Sequence, residues 1–157
     1  MPRLQQYFIS YADKKTEKTK YFWLDGGHLY IYTIYMPTNI CLNVVAGLEG
    51  QPEAVLIRAV QPLAGLDIMR EIRNIKSNKL EDLCNGPGKV GQSLAINKEK
   101  MNGMDLLDGE FKIVDAGINN FEMGVSRRVN IDYAEEWIDK PWRFFVKGNT
   151  FVSKVNF

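Results

Sequence analysis

The chain is 157 residues long, 45% apolar and 25% charged, with a net charge of +1. This composition excludes a disordered chain, and the length suits one domain with a real core. The near-neutral balance gives no basic signature, and two cysteines without CxxC spacing beside a single histidine argue against a structural zinc site.

Residues 1–20 are polar and irregular, and Arg3, Lys14, Lys15, Lys18 and Lys20 outnumber Asp13 and Glu17. The start shows no signal-peptide core or transit pattern, and no apolar run approaches a membrane span. An intracellular protein with reduced thiols and no membrane partner is expected. Residues 29–35 are β-branched and aromatic, which predicts a strand. Met36-Pro37-Thr38-Asn39 ends it, because proline has no ladder donor. Residues 40–46 and 54–60 predict two further strands around a turn at 47–52, giving a three-stranded antiparallel meander. Leu66, Met69, Ile72 and Ile75 then recur at helical spacing, with Ile68 adding an i,i+4 partner to Ile72. Asp67 in the first turn and Lys76 in the last match the helix dipole.

Asn85-Gly86-Pro87-Gly88 leads into a second helix over residues 89–95. Residues 111–114 and 127–133 are strand candidates, and 142–147 with 151–154 flank Gly148-Asn149 as a hairpin. Residues 98–123 are acidic and the last stretch is basic, so one folded face can be positive although the total is close to zero. No repeat or linker divides the chain. The expected fold is a single α+β domain over residues 1–157, with a curved antiparallel sheet and a few short helices.

Four features carry candidate chemistry. Tyr30 and Tyr32 share one face of their strand, and Tyr35 stands beside the proline turn, where it can project from the hairpin tip. A wedge at such a tip can enter a base step, and an inward ring can stack on a base. On the residues alone, half-buried packing is the default for such tyrosines. Arg58, in an apolar stretch with Ala54 and Leu56, needs a partner, either a phosphate or a buried carboxylate. Asn43 within Cys41-Leu42-Asn43-Val44-Val45 must be hydrogen-bonded to backbone or ligand. The run ending at Lys89 fails the P-loop spacing, yet a glycine-rich helix entry can still meet one phosphate; its plain alternative is a helix start. His28 has no paired nucleophile and is taken as structural, and the carboxylates Asp132, Glu135 and Glu136 as surface charge.

Several segments, in order, resemble the 3-methyladenine DNA glycosylase family of the alkyladenine type. They are GGHLYIYTIY at 26–35, Asn43-Val44-Val45, AVLIRAV at 54–60 with Pro62, residues 65–70, LCNGPGKVGQSLAI at 83–96, Gly103-Met104-Asp105-Leu106, and PWRFFVKGNTFVS at 141–153. The resemblance spans residues 11–154. It implies a monomeric base-excision repair enzyme that flips an alkylated or deaminated purine out of double-stranded DNA and hydrolyses its N-glycosidic bond without metal or cofactor. It casts Tyr35 as the intercalating wedge, Tyr32 and Asn43 as pocket residues, and Arg58 as the arginine near the flipped nucleotide's phosphate. A DNA substrate also implies the nucleus, or another compartment that holds DNA.

The chain departs from the family pattern at several points. The glutamate that serves as general base, with its following tyrosine, lies upstream of the first matching segment and has no counterpart. The family's histidine position falls at Ile9, the loop at 36–39 lacks its glycine, and Asn130 stands where glycine is usual. No catalytic residue is therefore identified in this chain. Since a positioned base contributes roughly 10²–10⁴-fold, the chain as written is expected to be catalytically impaired. The alternative function is a non-catalytic fragment that binds damaged DNA.

Overall fold

The computed structural model describes residues 14–34, 39–132 and 135–153. The meander forms as expected: β1 (Leu29–Thr33), β2 (Ile40–Val45) and β3 (Ala54–Leu56) pair antiparallel in the order β1-β2-β3. β3 is shorter than its apolar run, so Arg58 lies beyond the ladder rather than within it. The outer edge of β1 is covered by residues 102–104. Leu29 N–H donates to the Met104 carbonyl (2.8 Å) and Ile31 N–H to Asn102 Oδ1 (2.8 Å). An edge satisfied in this way is closed to further pairing.

Helix α1 (Leu66–Arg73) turns Leu66 and Met69 to the core but leaves Ile68 and Ile72 exposed, and Asn74 ends it in the left-handed region (φ 46°), so that Arg70 and Arg73 rather than Lys76 occupy its last turn. Helix α2 (Pro87–Ser93) begins two residues earlier than its sequence pattern suggests. Pro87 suits that first position, because its missing N–H would have no helical partner there. Gly91 lets α2 press on β2, since a Cβ at this position would stand 2.9 Å from the Ile40 carbonyl oxygen. Helix α3 (Lys98–Met101) is one turn, capped by Asn97 Oδ1 accepting from Lys100 N–H (3.0 Å).

The main core lies on the α2 side of the meander. Leu29, Ile31 and Leu42 meet Leu83, Val90, Ile96, Leu106 and Phe151 there. The order of elements makes one mixed α+β domain with two small antiparallel sheets.

Three expected strands come out differently. Residues 111–114 form no strand; Ile113 N–H reaches the Leu106 carbonyl (3.0 Å), and Val114 is left exposed with no ladder partner. The strand expected at 127–133 lies upstream, as β4 (Met123–Ser126), and the described residues 127–132 leave the ladder with Asn130 at φ 59°. β5 (Arg143–Val146) does not fold back on residues 151–153. It pairs with β4 in the register Met123↔Val146 to Ser126↔Arg143. Gly148 does turn the chain (φ 72°), but Phe151 then drops into the main core instead of extending a hairpin. Burial of a large aromatic ring outweighs a locally favourable turn cue.

Candidate functional site

Side chains alternate along a strand, so the registers decide what shares a face. Tyr30↔Asn43, Tyr32↔Cys41 and Asn43↔Leu56 place Tyr30, Tyr32, Cys41 and Asn43 together on the side of the meander away from α2. Tyr30 and Tyr32 do share a face, with ring centroids 6.3 Å apart and planes 17° apart. The 3-10 turn Lys20–Trp23 supplies a third ring, since Phe22 stacks on Tyr30 at 4.9 Å and 9°. Phe22, Tyr30, Val45 and Ala54 form a second buried cluster, with Tyr21, Trp23 and Tyr32 packed beside it.

Asn43 is buried and hydrogen-bonded. Its Nδ2 donates to the carbonyl oxygens of Tyr30 (3.1 Å) and Cys41 (3.3 Å). Both amide hydrogens therefore go to the sheet's own backbone, and what Asn43 offers a ligand through them is shape rather than a free donor. Cys41 lies beside Tyr32 and Arg58. Burial pushes its thiol up, against the opposing pull of the Tyr32 side-chain hydrogen bond and the Arg58 charge.

Arg58 is half-buried, and its Nε has no hydrogen-bond partner. Desolvation first, then the nearby Arg143 cation, push its guanidinium below the usual arginine range, and only Cys41 acts the other way. The indole Nε1 of Trp23 is likewise buried without a partner. Two donors that lack acceptors thus flank the aromatic layer. Buried donors in that state favour an incoming acceptor.

Lys89 stands apart from this layer. It belongs to α2, whose Val90 and Gly91 pack on the opposite side of the meander. Its ammonium donates to Asn85 Oδ1 (2.7 Å) and pairs with Asp82 Oδ1 (3.4 Å). Asp82 is in turn held below the usual carboxylate range, first by Ser77 Oγ–H at 2.6 Å and then by Lys89. Lys89 is thus part of an internal ion pair. His28 has a structural setting, with Nδ1 3.0 Å from the Asp25 carbonyl oxygen and its backbone bridged to Asp105.

Tyr35 lies outside the described residues. The loop bearing it is closed at its base by Ile34 N–H donating to the Asn39 carbonyl (3.0 Å). Among the described residues no group of three or more His, Cys, Asp or Glu side chains could hold a metal ion. No helix among them is long and apolar enough to cross a membrane.

Sequence reasoning missed Phe22, Trp23 and Arg143 as members of this neighbourhood. Tyr21-Phe22-Trp23 is an aromatic run just before the first strand, and that was an available signal. Arg143 was not legible, because only the long-range pairing of β5 places it.

The family profile described as Methylpurine-DNA glycosylase (MPG) matches residues 8–150. Proteins from Natranaerobius thermophilus, Alkaliphilus oremlandii and Clostridium novyi share the name "Putative 3-methyladenine DNA glycosylase". The first is 44% identical over 146 residues, covering 92% of this chain and 73% of the relative. The second is 41% identical and the third 40%, each covering 92% of this chain and 74% of the relative. These organisms are bacteria, so the relatives lend nothing to a nuclear location. With the profile covering nearly the whole chain and relatives this similar, the chain belongs to the methylpurine-DNA glycosylase family.

Proposed function

We propose that this chain recognises double-stranded DNA bearing an alkylated or deaminated purine, extrudes that nucleotide, and acts as a monomeric DNA glycosylase that hydrolyses the damaged base away. Membership of the family supports the repair reading. The observation that carries it here is the stacked column Phe22–Tyr30–Tyr32 beside buried Asn43 and half-buried Arg58. Tyr35 is the wedge that fills the space left in the duplex. Tyr32 is a wall of the base pocket, and base–aromatic stacking of this kind contributes roughly 1–3 kcal/mol. Asn43 is fixed rigidly by its two backbone bonds and excludes bases that carry an extra exocyclic group at its position. Arg58 takes the phosphate of the extruded nucleotide. Lys89 is a peripheral backbone contact whose charge is already partly met by Asp82.

One observation favours a second reading, damaged-DNA binding without efficient excision. Among the described residues, the groups that act on Arg58 are Arg143 and Cys41, and neither is a carboxylate that could activate a water. A duplex with one ethenoadenine or hypoxanthine separates the two. Fluorescence anisotropy reads the preference for damaged over intact duplex, and alkali treatment reads excision as strand scission. Both readings require that preference, and Tyr35→Ala should lower it about tenfold, within the range for one lost stack. Brisk scission at stoichiometric protein would select the enzyme, and binding without scission the second reading. Equal affinity for damaged and intact duplex would dismiss both.

A further inference from the structure

The χ2 torsion of a tyrosine is broad, so backbone and rotamer leave the plane of its ring loosely fixed. A hydrogen bond at the hydroxyl does not fix it either, because the oxygen lies on the axis of rotation. The Tyr32 side chain bonds Cys41 in this way, and the plane of its ring is set by contacts on its face. Tyr30 supplies one, at 6.3 Å and 17°, and Phe22 stacks on Tyr30 at 4.9 Å and 9°. The column also has a direction. Phe22 is 1% exposed and Tyr30 7%, whereas Tyr32 is half-buried and is the ring that can meet a ligand.

The closed end of the column is anchored from three directions. Phe22 N–H donates to the Thr19 carbonyl (2.9 Å), and buried Thr19 donates through Oγ1 to the Lys14 carbonyl (3.0 Å). On one side of Phe22, Tyr21 rests its ring against Gly103, where a Cβ would stand 2.3 Å from Tyr21 Cδ1. Gly103 adopts φ 85° and donates its N–H to the Leu29 carbonyl (2.7 Å), so this contact ties the Lys20–Trp23 turn to the edge of β1. On the other side, the Trp23 carbonyl accepts from Gly50 N–H (2.9 Å). Phe22 is thereby keyed to β1 and to the turn between β2 and β3 at once.

We propose that Phe22 is a positioning residue, which sets the plane of the Tyr32 ring through Tyr30, and that the seat of Tyr21 on Gly103 holds Phe22 in place. That this serves recognition rests on the function proposed above, in which Tyr32 is a wall of the base pocket; the hold on the ring does not. A purine is flat, and stacking needs a face turned toward it. A wall whose plane is fixed beforehand also loses little freedom when a base arrives.

Phe22→Leu keeps an apolar side chain and removes the ring. Tyr21→Ala, at a half-buried position, removes the seat on Gly103 and carries the same test where Phe22→Leu does not fold. Val90→Ala, fully buried in the core on the far side of the sheet, is the control for a general loss of stability. The urea midpoint of each is measured first. In the first arm the tyrosine rings carry ¹³C, and the Tyr32 signal is assigned by its loss in Tyr32→Phe. Phe22→Leu and, to a smaller degree, Tyr21→Ala should shift that signal, and Val90→Ala should leave it in place. In the second arm, anisotropy reads the preference for a duplex with one ethenoadenine over intact duplex. A complete stacked ring contributes about 5–150-fold. Phe22→Leu tilts Tyr32 without removing it and should lower the preference about three- to tenfold, whereas Val90→Ala should not.

A shifted Tyr32 signal with a lowered preference supports the positioning role. An unmoved signal in Phe22→Leu, or one that moves as far in Val90→Ala at a comparable midpoint, overturns it whatever the DNA result. A shifted signal with an unchanged preference also overturns it when Tyr32→Ala does lower that preference. If Tyr32→Ala leaves the preference unchanged, the pocket role of Tyr32 fails, while a shifted signal still supports the control of its ring by Phe22.

Discussion

On one side of the β1–β2–β3 sheet, Leu29, Ile31 and Leu42 meet Leu83, Val90 and Leu106 in an aliphatic layer. On the other side, two stacked tyrosines, a phenylalanine, an asparagine, a thiol and an arginine share the space. The same strands build both layers, because every second residue changes sides. Burying an aliphatic side chain contributes about 1.5–3 kcal/mol, so the first layer supplies stability with no need of a ligand. The second contains donors that would be better satisfied in water. In the function proposed above its polar groups serve binding as well as folding, which is where rules that hold elsewhere in a protein are expected to fail.

The contrast breaks most visibly if the two layers are damaged in parallel. Ile31→Ala in the aliphatic layer, where the side chain is fully buried, should lower unfolding free energy by about 2–5 kcal/mol. A urea titration measures this as a drop in midpoint with little change in slope. Asn43→Ala in the other layer should do less to the fold, about 1–3 kcal/mol, by stripping donors from the buried carbonyls of Tyr30 and Cys41. It should also relax discrimination among purine lesions, read as the ratio of duplex affinities for hypoxanthine and ethenoadenine. If Asn43→Ala costs stability but leaves that ratio unchanged, Asn43 is a structural amide and the division between the layers moves.

The first layer was legible in the sequence because it is built locally. β-branched and aromatic content predicted β1, proline predicted its break from β2, helical spacing predicted α1, and the glycine-proline entry at 85–88 predicted α2. The shared face of Tyr30 and Tyr32 followed from the alternation of side chains along a strand. What could not be read was long-range. β4 pairs with β5 across more than a dozen residues, and nothing in either segment names its partner. The turn at Gly148-Asn149 pointed to a local hairpin, and the buried Phe151 overrode it. Arg143 was lost with the β4–β5 pairing, whereas Arg58 stood out because a charge in an apolar run requires an explanation. Lys89 illustrates what a local pattern leaves out. Its glycine-rich approach suggested a ligand, yet Asn85 and Asp82 already engage it.

The smallest effect is expected at Asn130, where the chain leaves β4 and where glycine is usual in the family pattern. Its φ of 59° lies in the left-handed region, which disfavours side chains with a Cβ by about 1–2 kcal/mol but less so asparagine, whose amide bonds locally. Asn130→Gly removes the strain and raises the entropy of the unfolded chain, two opposed terms of about 0.5–1 kcal/mol. The urea midpoint should therefore hardly move. Asn130→Ala keeps the Cβ, loses the amide, and should cost about 1 kcal/mol. The pair isolates backbone conformation from side-chain contact. If alanine were as stable as asparagine, the turn would not be left-handed. If glycine were as costly as alanine, the amide's own contacts would dominate, and the asparagine would have a role that glycine cannot fill.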